Sequence, residues 1–162
     1  MAITYEPIAT TTLGTAAATV TFSTISGAYT DLILVADFAV SGGGDNLVRF
    51  NSDTGSNYSV TLLAGTGSVA ASGRSSSQTS YNPNYLSDQT SQRIIITHQL
   101  QNYSNSTTYK TLLTRLNNAS RQTMVSVGLW RNTAAITSID LLRTAGNYTS
   151  GSTFTLYGIA SA

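Results

Sequence analysis

The last third of the chain most constrains its fold. Met124 to Arg131 (MVSVGLWR), Asn132 to Arg143 (NTAAITSIDLLR) and Gly151 to Ile159 (GSTFTLYGI) alternate apolar and polar residues at period two, with polar turns between them. Successive side chains of a strand point to opposite faces, so this period marks half-buried strands and not helices. Three such runs closing a chain predict a β-sandwich.

The same reading extends upstream through β-branched and aromatic content. Strands are expected over Ile3–Ile8, Ala16–Ser23, Thr30–Val40, Asn46–Asn51, Tyr58–Ala64, Gln92–Gln101, Thr108–Leu116, Thr123–Arg131, Ala135–Arg143 and Ser152–Ile159. In Thr30–Val40, Leu32, Leu34, Ala36 and Phe38 share one face while Ile33, Val35 and Asp37 share the other. Both faces are partly apolar, which places this strand centrally or at an interface. In Ser52–Asn57 (SDTGSN) the Asp is expected to supply side-chain hydrogen bonding and the Gly positive φ, so Asn46–Asn51 and Tyr58–Ala64 are expected to pair as a hairpin. No helical period lasts three turns. The expected fold is therefore all-β: an antiparallel, jelly-roll-like sandwich of about eight to ten strands with little helix. Gly65–Ser91, rich in Ser, Gly, Thr and Asn, interrupts the regular spacing as a long polar loop carrying Tyr81 and Tyr85.

At 162 residues and 17.0 kDa, residues 1–162 suit a single domain with a real core. Without cysteine, no disulfide framework or thiolate metal site is available. Charged residues make up 9%, against roughly 25% in average globular chains. The seven arginines and Lys110 are scattered, so no basic cluster favours nucleic acid. The N-terminus lacks a secretory pattern and no stretch reaches the ~20 apolar residues of a membrane span. The product is expected to stay in the compartment where it is made, without a membrane partner.

Residues with chemistry are sparse. The chain holds one Glu (Glu6), six Asp and one His. His98, inside an expected strand, is read as a hydrogen-bonded structural residue and not as a base. Asn51, Asp53, Gly55 and Asn57 imitate the start of a calcium loop, but Leu62 stands where that loop needs a bidentate Glu, so the turn reading prevails. No G-x-S-x-G elbow and no phosphate-binding loop occurs. No catalytic residue, cofactor or metal is expected. Trp130 and Tyr157 lie in periodic strands, where burial is the usual fate of aromatic rings.

Several segments together resemble a known family: Tyr5–Leu13 (YEPIATTTL), Ala18–Val35 (ATVTFSTISGAYTDLILV), Phe50–Ser59 (FNSDTGSNYS), and Gly128–Ile159 with LWRNTAAITSIDLL and GSTFTLYGI. They are similar to small structural proteins of tailed bacteriophages, notably those of cyanobacteria and marine bacteria. The resemblance implies a virion component made in the bacterial cytoplasm. It further implies a decoration or cement protein on the outer capsid, trimeric, with the major capsid protein as partner and no catalytic residues to carry over. Candidate contacts are Ile3, Tyr5, Ile8, Ile33, Val35, Tyr81 and Tyr85. A second reading is a tail-fibre, baseplate or capsid-fibre module that binds a host cell-surface glycan through Tyr81, Tyr85 and Asn/Ser-rich loops.

Overall fold

A computed structural model describes residues 5–84, 86–88, 90 and 92–160. They form eleven strands and no helix: β1 (Tyr5–Thr12), β2 (Thr19–Phe22), β3 (Asp31–Phe38), β4 (Asn46–Phe50), β5 (Tyr58–Gly65), β6 (Ala70–Gln78), β7 (Ile94–Gln101), β8 (Lys110–Asn118), β9 (Gln122–Trp130), β10 (Ile139–Arg143) and β11 (Thr153–Ile159). An eight-stranded sheet, β1-β11-β3-β7-β8-β9-β5-β6, packs on a three-stranded sheet, β2-β10-β4, and all ladders are antiparallel. Tyr81 exchanges two backbone hydrogen bonds with Val48 (2.8 and 2.9 Å), adding a bridge beside β4. The frame then reads β1-β11-β3-β7 facing β2-β10-β4-Tyr81, which is jelly-roll order. Hairpins β5–β6 and β8–β9 are inserted into this frame and widen the first sheet.

The alternation expected of β3 is present: Leu32, Leu34, Ala36 and Phe38 are buried, Ile33 and Val35 half-buried, and the strand lies inside its sheet between β11 and β7. Aromatic rings make two groups in the core. Phe38, Tyr148 and Phe154 meet edge-on or stacked at 5.0 to 6.1 Å between centroids, and Phe50, Tyr58 and Trp130 meet at 5.6 to 6.4 Å. Such pairs add about 0.5–1.5 kcal/mol each beyond their buried area.

Two expectations are corrected. β4 and β5 do not form a hairpin: β4 pairs with β10, whereas β5 pairs with β6 and β9. The segment between them is a corner that carries the chain from one sheet to the other. Asn51 and Ser52 take positive φ there (52° and 54°), and Asn51 Oδ1 accepts from the backbone N–H of Thr137 and Ser138. Those contacts turn the chain away from β4 before a hairpin can close. The stretch expected as loop over Gly65–Ser91 holds β6, which is mostly exposed and, among the described residues, pairs only with β5. Its sequence, AASGRSSSQ, has little intrinsic strand preference. Register with β5 imposes the conformation.

Candidate functional site

The inner face of the large sheet carries one polar row. His98, Thr114 and Ser126 stand side by side on β7, β8 and β9, since His98 is in register with Thr114 and Thr114 with Ser126. His98 Nδ1 is 2.8 Å from Thr114 Oγ1. Tyr81 reaches across from the other sheet, with its hydroxyl 2.7 Å from Ser126 Oγ and its ring edge-on to His98 at 6.1 Å. Gly128 makes room for it: a Cβ there would lie 2.6 Å from the Tyr81 ring and 2.3 Å from Leu112 Cδ2. Burial pushes the Tyr81 hydroxyl up to about 12 and the His98 imidazole down to about 3, so at neutral pH both are uncharged. With His98 2% and Tyr81 1% exposed, the row is closed to any substrate and works as a polar tie within the core.

The turn after β4 is likewise structural. Asp53 accepts from Gly55 N–H (2.7 Å), Asn57 Nδ2 (2.8 Å) and Trp130 Nε1 (2.7 Å). Burial alone would raise its carboxyl, but those hydrogen bonds hold it below the ordinary value. The calcium-like donors are thus spent on the turn and on Trp130. Among the described residues no three His, Cys, Asp or Glu side chains gather in one place, and no helix is long and apolar enough to cross a membrane.

A buried ion pair pins the segment that follows β6. Arg143 Nη1 lies 2.6 Å from Asp88 Oδ2, with both side chains inaccessible, and also donates to Asn46 Oδ1 (2.8 Å) while Nη2 donates to the Gly42 carbonyl (3.0 Å). Asn84 Nδ2 donates to the other Asp88 oxygen at 3.3 Å. This cluster ties the segment after Tyr81 to β4 and β10 through Asn46 and Arg143.

The exposed large apolar side chains gather mainly on the outer face of the large sheet. Leu63 (61% exposed), Val125, Val127 (53%), Leu113 and Ile95 are exposed on four adjacent strands, β5, β9, β8 and β7. Alternation leaves two phases open here, the more apolar set Val125, Val127 and Leu129 and the set that includes Trp130, for which burial is expected. The structure turns Met124, Ser126, Gly128 and Trp130 inward, because Trp130 fills the core and Tyr81 needs the space above Gly128. The signal in the sequence was the small Ser126–Gly128 pair on the phase of Met124 and Trp130. At one end, a shallow recess of about 410 Å³ lies between the β5–β6 and β8–β9 turns, lined by Thr66, Asn117, Ser120, Arg121 and Gln122 among others and by no aromatic ring.

The expected contact residues separate accordingly. Tyr5 is exposed at the start of β1, and Ile33 and Val35 stand half-buried on the outer face. Ile8, beside a bulge between Pro7 and Ala9, packs partly against the core. Tyr81 is corrected from a surface contact to a core residue, since its ring and hydroxyl are both satisfied inside. Ile3 and Tyr85 lie outside the described residues. Tyr157, expected to be buried, is half-buried on the outer face, while Trp130 is fully buried.

No protein-family model matches the chain, and no curated protein does. Among solved structures, exo-inulinase from Aspergillus awamori aligns over 96% of this chain and 29% of its own at 9% identity and TM-score 0.45. Alginate lyase Aly36B aligns over 93% of this chain and 77% of its own at 10% identity and TM-score 0.37. At these values neither likeness bears on activity.

Proposed function

We propose that this protein is a non-enzymatic structural protein of a tailed-bacteriophage virion, a decoration or cement protein on the outer capsid that bridges subunits of the major capsid protein. The observation that carries the reading is the pair of long, open sheet edges. β1 and β6 end the large sheet, each is paired on one side only among the described residues, and each is largely exposed on both faces. Each carries one charge, Glu6 and Arg74, and a bulge in its ladder, and β1 adds Pro7, so β6 is the less guarded of the two edges. Monomeric proteins usually blunt such edges with charge, proline or a cover, because a free edge accepts another strand. Strand addition from neighbouring shell subunits at β1 and β6 would hold them together and favour the assembled shell by mass action. The resemblance of the N-terminal and C-terminal segments to phage structural proteins supports the same reading.

Locating the chain on purified particles by cryo-electron microscopy tests it. Copies in regular positions over the head, with β1 or β6 against the capsid protein, are expected. Copies confined to the tail would overturn it in favour of a fibre or baseplate module. The glycan reading has lost Tyr81, which no surface ligand can reach.

A further inference from the structure

The outer face of the large sheet is complementary to itself. Strand order puts β7 and β8 at its centre, with three strands on each side. Across the register, one outer row runs Ile33, Gln99, Leu113, Val127 and the next runs Val35, Thr97, Arg115, Val125, over β3, β7, β8 and β9. The apolar pair on β3 and the apolar pair on β9 therefore flank the β7/β8 line at equal distance and at matching heights along the strands. A twofold axis running along that line lays Val127 of one copy over Ile33 of another and Val125 over Val35, each twice. An isologous contact requires this kind of self-matching patch.

We propose that this protein dimerises by packing the outer face of its large sheet on the same face of a second copy. The inference does not rest on the capsid reading, and it makes the basic unit twofold where the resemblance implies a threefold one. Eight strands spaced about 4.8 Å apart and about eight residues long, at ~3.3 Å each, present roughly 1,000 Å². A stable interface needs about 800 Å² per partner. Two sheets packed in this way align within about 30° and enclose a layer of side chains. Arg115 neighbours the axis, so two like charges approach each other across it. Association is therefore expected to strengthen as salt rises and on Arg115→Gln, the opposite of what an acidic partner surface would give.

The test uses the full chain alone. Sedimentation of the wild type at micromolar concentration is expected to give twice the 17.0 kDa chain mass, and Val127→Asp to return it to the single-chain mass with its circular dichroism unchanged. Because the chain has no cysteine, a Val35→Cys/Val125→Cys double variant reports geometry. Within one chain those positions are three strand spacings, about 14 Å, apart. A thiol-bridging reagent too short to span that distance still crosses the ~10 Å between packed sheets, whose facing side chains project into the gap, so it joins two chains of the double variant while either single variant stays uncrosslinked. A wild-type monomer or trimer overturns the proposal, as does a dimer that survives Val127→Asp or whose double-cysteine variant fails to crosslink. If Val127→Asp does not fold, the crosslinking result decides.

Discussion

His98 should make the protein acid-sensitive in a way that one substitution removes. Its ring is buried against Thr114 and Tyr81, and that burial lowers its pKa from 6.5 to about 3. Above pH 6.5 the imidazole is neutral in folded and unfolded chains alike and adds nothing to the pH dependence. Below it, the unfolded chain takes up a proton that the folded chain refuses. Stability therefore falls as pH drops, until the folded ring also protonates near pH 3. The slope is about 1.4 kcal/mol per pH unit, so going from pH 7 to pH 4.5 costs roughly 2.7 kcal/mol from this residue. That is a large share of a typical total of about 5–15 kcal/mol. Carboxylates such as Asp53, held below its ordinary value, add their own loss at lower pH, and a comparison of variants cancels it. Urea unfolding of the wild type and of His98→Asn, whose amide can still meet Thr114, should be followed from pH 7 to pH 4.5. His98→Asn should start less stable but fall less steeply, by about 1.4 kcal/mol per unit below pH 6.5. Parallel curves, or an imidazole seen by NMR to titrate near its ordinary value, would refute the reasoning.

Three further outcomes follow from the packing. Gly128→Ala places a methyl 2.3 Å from Leu112 Cδ2 and 2.6 Å from the Tyr81 ring, and overpacking of this kind should cost about 1–3 kcal/mol in urea unfolding. Asp88→Ala leaves Arg143 buried without its carboxylate and should cost about 3–5 kcal/mol, whereas replacing both residues by apolar ones should recover most of that. Asp53→Ala removes the acceptor of Trp130 Nε1 and two turn hydrogen bonds, so tryptophan emission should shift and stability fall by about 1–3 kcal/mol, with the acid-side loss attributable to Asp53 gone as well.

Local alternation by itself determined that this chain is all-β, and it placed Leu32, Leu34, Ala36 and Phe38 on one face of a strand interior to its sheet. Side chains two residues apart share a face whatever the rest of the chain does, so that information is present in any short window. The side-chain hydrogen bonding of Asp53 was legible too, because its bonds to Gly55 and Asn57 span no more than four residues, but the positive φ expected of the glycine falls on Asn51 and Ser52. Partnership was not. The turn joining β4 to β5 reads as a hairpin, yet Asn51 bonds Thr137 and Ser138, more than eighty positions away, and that contact sends the chain to the other sheet. β6 has no strand signal of its own and exists because β5 offers a free edge. The direction of Val125 and Val127 was hinted at only by Trp130 and the small Ser126–Gly128 pair, and packing decided it: Tyr81, held by its backbone bonds to Val48, claims the space above Gly128 and leaves the valines outside. The surface on which the dimer proposal rests thus depends on long-range packing, which chooses between the two phases that alternation in one strand leaves open.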